Sequence, residues 1–178
     1  MIISIASGKG GTGKTTIATN LALSINNDVQ FLDCDVEEPD AHIFLNPRIK
    51  KTLTASIPVP KIDESKCNFC GRCAEVCAYN ALAVLKDKVL TFPNLCHGCG
   101  GCSLLCPQKA ITEVNKDIGV VEIGNSNNLQ FVQGRLNIGE TMSPPLIKAV
   151  KNYINPTRIV IIDAPPGTSC PVIEAMIK

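Results

Sequence analysis

The chain has 178 residues, a formal net charge of +1 and 4% aromatic residues, so neither charge nor base stacking indicates a nucleic-acid partner. No apolar run reaches the roughly 18 residues of a membrane span, and no charged segment typical of a signal peptide opens the chain. We therefore expect a cytoplasmic protein of one or two small domains, in which ten cysteines indicate metal binding and not disulfides.

A glycine-rich loop follows the first predicted strand, residues 2–6, and leads into a helix predicted over residues 17–25 with Ile17 on its apolar face. The loop fits the pattern G-x-x-x-x-G-K-[ST], in which main-chain N–H groups surround phosphate oxygens. Lys14 would reach the terminal phosphates and the Thr15 hydroxyl would bind Mg²⁺. The alternative is a glycine turn that only joins a strand to a helix. The candidate nucleotide-binding residues of the loop are Gly8, Lys9, Gly10, Gly11, Thr12, Gly13, Lys14, Thr15 and Thr16.

A second buried strand is predicted over Val29–Cys34, after a turn at residues 26–28. Asp33 and Asp35 stand at its carboxyl end, where ligands bind in open parallel sheets. The acidic stretch 37–40 that follows is typical of a mobile loop. The alternative is a pair of aspartates that cap the N-terminus of a helix.

Two cysteine runs follow a segment, residues 47–65, whose prolines predict a linker. Both have the spacing C-x₂-C-x₂-C-x₃-C of bacterial ferredoxins, in which the fourth cysteine of each run binds the other cluster. Two zinc sites are the alternative, although isolated C-x₂-C pairs would suffice for zinc. We therefore predict two 4Fe–4S clusters. Cluster one would have the ligands Cys67, Cys70, Cys73 and Cys106, and cluster two Cys96, Cys99, Cys102 and Cys77.

A last buried strand, residues 158–162, ends in Asp163. A hydrophobic strand capped by aspartate is the Walker B pattern, whose carboxylate holds Mg²⁺. The alternative is a strand end with a structural role only. The other predicted elements are a hairpin of residues 81–85 and 88–91, a closing strand at 111–114, a strand pair at 118–123 and 129–136 around a turn at 124–128, and a helix at 144–154.

The order of these motifs resembles one family. The loop K-G-G-T-G-K-T, the D-x-D pair and the segment D-A-P-P-G-T-S-C-P are similar to those of the MinD, Mrp and nitrogenase-iron-protein class of ATPases, here with an inserted ferredoxin domain. The resemblance implies that Lys9 reaches the nucleotide of a partner subunit and that Asp35 activates the attacking water. It also implies that Asp33 and Asp163 serve Mg²⁺ and that the Gly167 N–H senses the γ-phosphate.

Cys170 has the same offset from the switch II aspartate as a cluster-ligating cysteine of the nitrogenase iron protein. Because no second cysteine outside the ferredoxin runs is a suitable candidate, we interpret Cys170 as a small buried residue. The chain ends where members of this class continue, so it is similar to the N-terminal part of a larger ATPase.

We therefore predict an α/β P-loop NTPase, a parallel sheet with flanking helices that is cut short at its C-terminus, with an inserted α+β ferredoxin domain. The ATPase would comprise residues 1–59 and 116–178, and the insert residues 60–115. The resemblance implies a nucleotide-dependent homodimer that hydrolyses ATP and couples it to electron transfer with a redox or iron–sulfur partner protein. An iron–sulfur carrier of the Mrp type is the alternative, and an ATPase that positions other molecules is a third.

Overall fold

A computed structural model describes residues 1–25 and 28–177 and divides the chain into two units. Unit one comprises Met1–Ala55 and Ile118–Lys178, and unit two is the intervening segment Ser56–Asp117. The insert predicted at 60–115 falls within unit two. Of the predicted turn at residues 26–28, the first two positions lie outside the described residues.

Unit one is built on a six-stranded sheet with the order β1-β8-β2-β7-β6-β3. Strands β1, β8, β2 and β7 pair in parallel, and β6 pairs with β7 in the antiparallel sense. This order confirms the predicted α/β class. The strands are β1 (Ile2–Ile5), β2 (Val29–Asp33), β3 (Arg48–Ile62), β6 (Ile111–Ser126), β7 (Leu129–Leu136) and β8 (Ile159–Asp163).

Helices cover both faces of this sheet. Phe131 belongs to the core that includes Ala18 and Ala22 of the first helix, whereas a Cβ on Gly134 would meet Leu146 and Val150 of the fifth helix. Because side chains alternate along a strand, Phe131 and Gly134 point to opposite faces. The helices of unit one are α1 (Lys14–Ser24), α2 (Ala41–Leu45), α5 (Ser143–Lys151) and α6 (Cys170–Met176).

Helix α1 differs from its prediction at its start and in the place of Ile17. It begins at Lys14, three residues earlier than expected, and it buries Lys14, Ala18 and Ala22. The side chain of Ile17 is 59% exposed, so its predicted place on the apolar face is wrong. Leu21 and Ile25 do pack against the buried core.

Unit two contains two short helices and a two-stranded antiparallel ladder, which confirms the predicted hairpin. Its first and last residues are joined, because the hydroxyl of Ser56 donates a 3.0 Å hydrogen bond to Oδ1 of Asp117. The elements are α3 (Arg72–Glu75), β4 (Leu82–Val84), β5 (Val89–Thr91), a 3₁₀ turn (Pro93–Leu95) and α4 (Gly101–Leu104).

The linker predicted at residues 47–65 is wrong, since most of it forms β3. Pro58 and Pro60 lie within this strand, where prolines are tolerated because β3 is at the edge of the sheet. The predicted closing strand at 111–114 is likewise only the start of β6, which continues to Ser126. The turn predicted at 124–128 is therefore shorter, because β6 and β7 leave only two residues between them. Among the described residues, no helix is long and apolar enough to cross a membrane.

Candidate functional site

The carboxyl ends of three parallel strands meet at one edge of the sheet in unit one. Asp163 at the end of β8 is in register with Ile5 of β1 on one side and with Asp33 of β2 on the other. The phosphate loop follows β1, and the segment with Asp35 follows β2. The topology therefore gathers three of the predicted motifs at the edge where open α/β sheets bind ligands.

The phosphate loop is held by its own side chains. The hydroxyl of Ser7 lies 2.7 Å from both the carbonyl oxygen of Lys9 and the hydroxyl of Thr12. Gly13 ends the loop with a φ of 85°, a left-handed conformation that glycine adopts without steric penalty. Its carbonyl then accepts the first hydrogen bond of α1, from the N–H of Ile17, so loop and helix form one continuous support.

An open cavity of about 790 Å³ lies over this loop. Of the predicted residues, Lys14, Thr15 and Thr16 line this cavity together with Asp35. Three other predicted residues of the loop, Gly8, Lys9 and Thr12, do not line it. Four lining residues were not predicted as binding residues. Glu38 and Asp40 belong to the acidic stretch 37–40 and Pro166 to the segment D-A-P-P-G, whereas no motif marks Phe44. The lining consists of Gly10, Gly11, Gly13, Lys14, Thr15, Thr16, Asp35, Glu38, Asp40, Phe44 and Pro166.

Asp163 is buried without a partner for its charge-bearing oxygens. Its residue exposure is 0%, and within residues 1–25 and 28–177 neither carboxylate oxygen has a hydrogen-bond partner. Burial raises the pKa of this carboxyl, and the nearby hydroxyl of Thr15, followed by the positive charge of Lys14, opposes the rise. An orphaned buried carboxylate beside a phosphate loop fits an ion or its hydration shell.

Asp33 is also buried but both of its oxygens are engaged. Oδ1 accepts a 3.1 Å hydrogen bond from the N–H of Asp35, and Oδ2 accepts one of 3.2 Å from the N–H of Ala41 at the start of α2. Asp33 therefore fixes the loop that carries Asp35. It also satisfies a donor at a helix N-terminus, which is close to the capping alternative considered for this pair.

Asp35 lines the cavity in a partly buried position. Burial raises the pKa of its carboxyl to about 6, the charge of Asp163 adds to the rise, and Lys14 opposes it. A carboxylate with a raised pKa can accept a proton from water more readily than an ordinary aspartate.

The main-chain N–H of Gly167 is engaged by the phosphate loop. It donates a 3.0 Å hydrogen bond to the carbonyl oxygen of Ser7, and Gly167 has a φ of 104°. The N–H predicted to sense a γ-phosphate thus has a competing acceptor in this structure.

The eight cysteines of the two runs divide between two cavities in unit two. The first is named cavity one and the second cavity two, and both are narrow. In each cavity three cysteines of one run meet the fourth cysteine of the other run, which is the crossed arrangement expected from the spacing. Cavity one is lined by Cys67, Cys70, Cys73 and Cys106, and cavity two by Cys96, Cys99, Cys102 and Cys77.

Main-chain donors point at the sulfurs in the same pattern in both halves. The first cysteine of each run accepts a 3.4 Å hydrogen bond from the N–H two residues later, and the fourth accepts one of 3.3 Å from the N–H four residues later. Such donors stabilise thiolates and cluster charge. The acceptors are Cys67 and Cys96 in the first case and Cys77 and Cys106 in the second.

The chemistry of the two donor sets fits a metal centre in each cavity. Burial raises the pKa of the third thiol of each run, Cys73 and Cys102, so these positions need a positive metal centre to hold thiolates. Four cysteines line each cavity, which is the number of thiolates that one 4Fe–4S cluster takes.

Two cysteines lie outside both runs. Cys34 follows β2 and is buried, whereas Cys170 is exposed at the start of α6. The prediction that Cys170 is a buried residue is therefore wrong. Cys170 is the first residue of α6, whose buried face is instead formed by Val172 and Ala175.

Comparison with known proteins shows the family of the chain. The CobQ/CobB/MinD/ParA nucleotide binding domain matches residues 3–169. The uncharacterized protein MJ0578 of Methanocaldococcus jannaschii is 34% identical over 180 residues, covering 99% of this chain and 63% of that protein. MJ0579 of the same organism is 32% identical over 184 residues, covering 100% of this chain and 66% of that protein. The chain therefore spans just under two thirds of the length of these two relatives.

A ferredoxin also matches. Ferredoxin-3 of Nostoc sp. is 31% identical over 70 residues, which cover 29% of this chain and 72% of that ferredoxin. A match of this extent fits the cysteine-rich unit alone. Because the family match runs through nearly the whole sequence, the chain belongs to the CobQ/CobB/MinD/ParA nucleotide-binding family, and it carries a ferredoxin-like region within that domain.

Proposed function

We propose that this protein binds and hydrolyses ATP and couples its nucleotide state to electron transfer through two 4Fe–4S clusters. The observation that carries the proposal is the division of eight cysteines between two cavities, in a chain whose phosphate loop lines a third cavity together with Asp35. Family membership supports nucleotide binding, and the likeness to a ferredoxin supports the clusters.

Lys14 and Thr15 would hold the phosphates and the metal ion. Lys14 is 8% exposed, so its charge acts in a poorly solvated position where attraction to phosphate is strong. The Thr15 hydroxyl would bind Mg²⁺, and Asp163 would hold it through water with its two unpartnered oxygens. When bound, Mg²⁺ neutralises charge on the terminal phosphates. Asp33 would support this site indirectly, because its oxygens already fix the Asp35 loop.

Asp35 would orient the attacking water and accept its proton. Its position in the lining of the phosphate cavity supports this role, and the raised pKa moves its basicity toward that of a useful general base. The N–H of Gly167 would turn from Ser7 to the γ-phosphate when ATP binds. Exchange of one acceptor for another is a two-state change of the kind that nucleotide switches use.

Lys9 would act across a homodimer. It is exposed and is absent from the lining of the cavity formed by its own loop, which leaves its ammonium group available to a second nucleotide. The family resemblance implies the same role. A nucleotide-dependent dimer is therefore part of the proposal, together with a redox or iron–sulfur protein as the external partner.

The two cavities of unit two would each hold one cluster. When bound, a 4Fe–4S cluster supplies a one-electron redox site. The cysteines would ligate iron, the four main-chain N–H donors would stabilise the sulfurs, and apolar side chains such as Ile62 and Leu82 would exclude water from the cavities. Low solvent access and N–H donors are two of the factors that set the potential of such clusters.

The experiment that tests this function combines reconstitution with turnover. Protein reconstituted without oxygen should contain about eight irons and eight sulfides, two clusters of four, and should hydrolyse ATP. Asp35→Asn should still bind ATP but hydrolyse it roughly 10²–10⁴-fold more slowly, the usual value of a positioned base. Stoichiometric zinc, or ATP hydrolysis that Asp35→Asn leaves intact, would contradict the respective part of the proposal.

A carrier that delivers clusters to other proteins is the second candidate. Cys70 and Cys99, the second cysteine of each run, are exposed, and exposed ligands favour transfer of a cluster. The two functions differ in a measurable way. A carrier would pass iron and sulfide to an apo-ferredoxin faster with ATP, whereas an electron-transfer protein would retain both clusters through turnover.

A further inference from the structure

The two halves of unit two repeat each other, and the repeat places different residues at matching positions. Val84 stands seven residues after Cys77, and Glu113 stands seven residues after Cys106. Each of these two residues lines a cavity, Val84 cavity one and Glu113 cavity two. The same position in the repeat therefore presents an apolar side chain to one site and a carboxylate to the other.

The Glu113 carboxylate is fixed beside cavity two by neighbours from the second cysteine run. Its Oε1 accepts a 3.1 Å hydrogen bond from the hydroxyl of Ser103. A Cβ placed on Gly100 would lie 3.0 Å from the same Oε1, so the glycine gives the carboxylate room. Ser103 and Gly100 adjoin Cys102 and Cys99 respectively; Gly100 lines cavity two and precedes α4, and Ser103 lies within α4.

The first half has no equivalent of this arrangement. The residue that matches Ser103 is Ala74, which has no hydroxyl, and the partner position is Val84. The formally charged residue in the lining of cavity one is instead Arg72. The lining of cavity one thus includes a cationic residue and that of cavity two an anionic one. Glu75 also lies near cavity one, because a Cβ placed on Gly71 would be 3.9 Å from its Oε1, but it is not part of the lining.

A nearby negative charge opposes the addition of an electron to a cluster, because the reduced form carries one more negative charge than the oxidised form. A nearby positive charge has the reverse effect. Glu113 and Arg72 are exposed, so water screens part of each charge, and the effect depends on how near the charge lies to the cavity. The net charge around a cluster is accordingly one of the factors that set its reduction potential.

We propose that Glu113, held by Ser103, lowers the reduction potential of cluster two below that of cluster one. In the protein reduced by one electron, the added electron would then reside on cluster one. An electron delivered to cluster two passes to oxidised cluster one, which leaves cluster two oxidised, and no proton moves and no bond changes. Glu113 acts here as a tuning residue, and the inference rests on the proposed binding of two clusters.

The test is a redox titration of the full reconstituted chain, followed by the electron paramagnetic resonance of the reduced clusters. Dithionite is the reductant. The parent protein should show two midpoint potentials, and the lower one should be the one that disappears in Cys96→Ala. Glu113→Gln should raise that lower midpoint potential by ~59 mV for one electron. At a fixed potential this corresponds to a ratio of reduced to oxidised cluster two that is about ten times higher. The upper midpoint should not change.

Asp87→Asn is the matched control. It removes one negative charge from the same unit at a position outside the lining of either cavity, and it should move neither midpoint. An unchanged lower midpoint in Glu113→Gln, or equal shifts of both midpoints, would overturn the inference.

Iron and sulfide analysis before the titration separates the two levels of the argument. A parent protein without clusters overturns the proposed function and this inference together, whereas a loaded parent puts only the inference at risk. If Glu113→Gln fails to retain its clusters, Ser103→Ala replaces it, because this variant releases the carboxylate without removing it. A rise of the lower midpoint then supports the inference, and an unchanged midpoint overturns it.

Discussion

The main-chain N–H of Leu136 donates a 2.8 Å hydrogen bond to the carbonyl oxygen of Val36. Leu136 ends β7, the strand that directly follows β6 along the chain from the cysteine-rich unit. Val36 is the residue after Asp35. β6 therefore carries the chain back from unit two, and the next strand, β7, is hydrogen-bonded to the residue that follows the proposed catalytic Asp35.

This relationship supports linkage between nucleotide state and cluster redox state. A change of conformation around Asp35 on ATP binding would act on β7 through this hydrogen bond. If the segment at Asp35 has two arrangements, it can couple two sites in this way. We expect a non-hydrolysable ATP analogue to shift the cluster midpoints by roughly 40–130 mV, which corresponds to ~1–3 kcal/mol of coupling for one electron.

Redox titrations with and without the analogue measure this shift. Reduction must change the affinity for the analogue by the same free energy, because coupling is reciprocal. The control is Lys14→Ala, which should titrate identically in both conditions. Superimposable curves for the parent protein would favour the carrier function instead.

Substitution of Gly134 should disturb the same contact. A Cβ there would lie 2.5 Å from Cγ1 of Val36 and 2.9 Å from Cγ2 of Val150, both closer than normal packing allows. We expect Gly134→Ala to lower the free energy of unfolding by about 1–3 kcal/mol, as overpacking of a core does. Chemical denaturation of the nucleotide-free protein measures the change.

A second variant identifies the clash that matters. Val36→Ala removes the closer of the two carbons, so the double variant should be more stable than the sum of the two single changes predicts. Strict additivity would mean that Gly134 is required for another reason.

The crossed cysteine quartets predict which variants behave alike. Cys106→Ala and Cys67→Ala should each lose cluster one although they belong to different runs, whereas Cys77→Ala and Cys96→Ala should lose cluster two. Iron content should fall by about half in all four. The remaining midpoint potential should be the same within each pair and different between the pairs.

Cys170→Ala is the control for this series, and it should retain both clusters because Cys170 is outside both cavities. If Cys106→Ala instead matched Cys96→Ala, each run would hold its own cluster and the crossed assignment would fail.

Substitutions of the two lysines of the phosphate loop should have different effects. Lys14 is buried beside its own cavity, whereas Lys9 is exposed outside it. We expect Lys14→Ala to abolish binding of ATP, and Lys9→Ala to bind ATP normally but to lose ATP-driven dimerisation and turnover. Equilibrium binding and light scattering separate the two effects. Normal turnover by the Lys9 variant would exclude a role across a dimer.

Asp163 should strengthen the binding of MgATP and lower the stability of the ligand-free protein. Its carboxylate is buried next to Asp33 and has no hydrogen bond from any described residue, which is unfavourable for a charged group. Asp163→Asn should therefore unfold at an equal or higher temperature without ligand. With MgATP at 100 times its dissociation constant the parent should gain ~2.7 kcal/mol, and the variant should gain little. A variant that gains as much as the parent would exclude Asp163 from the Mg²⁺ site.

The sequence predicted best those parts in which local pattern and global position agree. The apolar run of β8, the largely apolar β2, which contains only Gln30 as a polar residue before Asp33, and the spacing of the cysteines left few choices. The linker predicted at residues 47–65 is wrong because prolines do not always end a strand. An edge strand accepts proline where no neighbouring strand needs its N–H. Phe44 was missed at the nucleotide cavity, since its place depends on how α2 returns to the loop and not on any motif.

The role of Asp33 shows a different limit. A sequence motif identifies an acidic pair but does not say which member has its oxygens occupied by main-chain donors. In the structure Asp33 is so occupied and Asp163 is not, and only the fold, which places residues distant in sequence in register, makes this distinction.

The hydrogen bond between Ser56 and Asp117 has an evolutionary consequence. A segment whose first and last residues touch can be gained or lost by a host protein in one genetic event, because its removal leaves two chain ends that a short turn can rejoin. The cysteine-rich unit meets this condition, and β3 and β6, which carry the chain into and out of it, are neighbours in the host sheet. A host protein of this family can therefore acquire the cysteine-rich unit in one piece, without any change in the order of the strands that carry the phosphate loop.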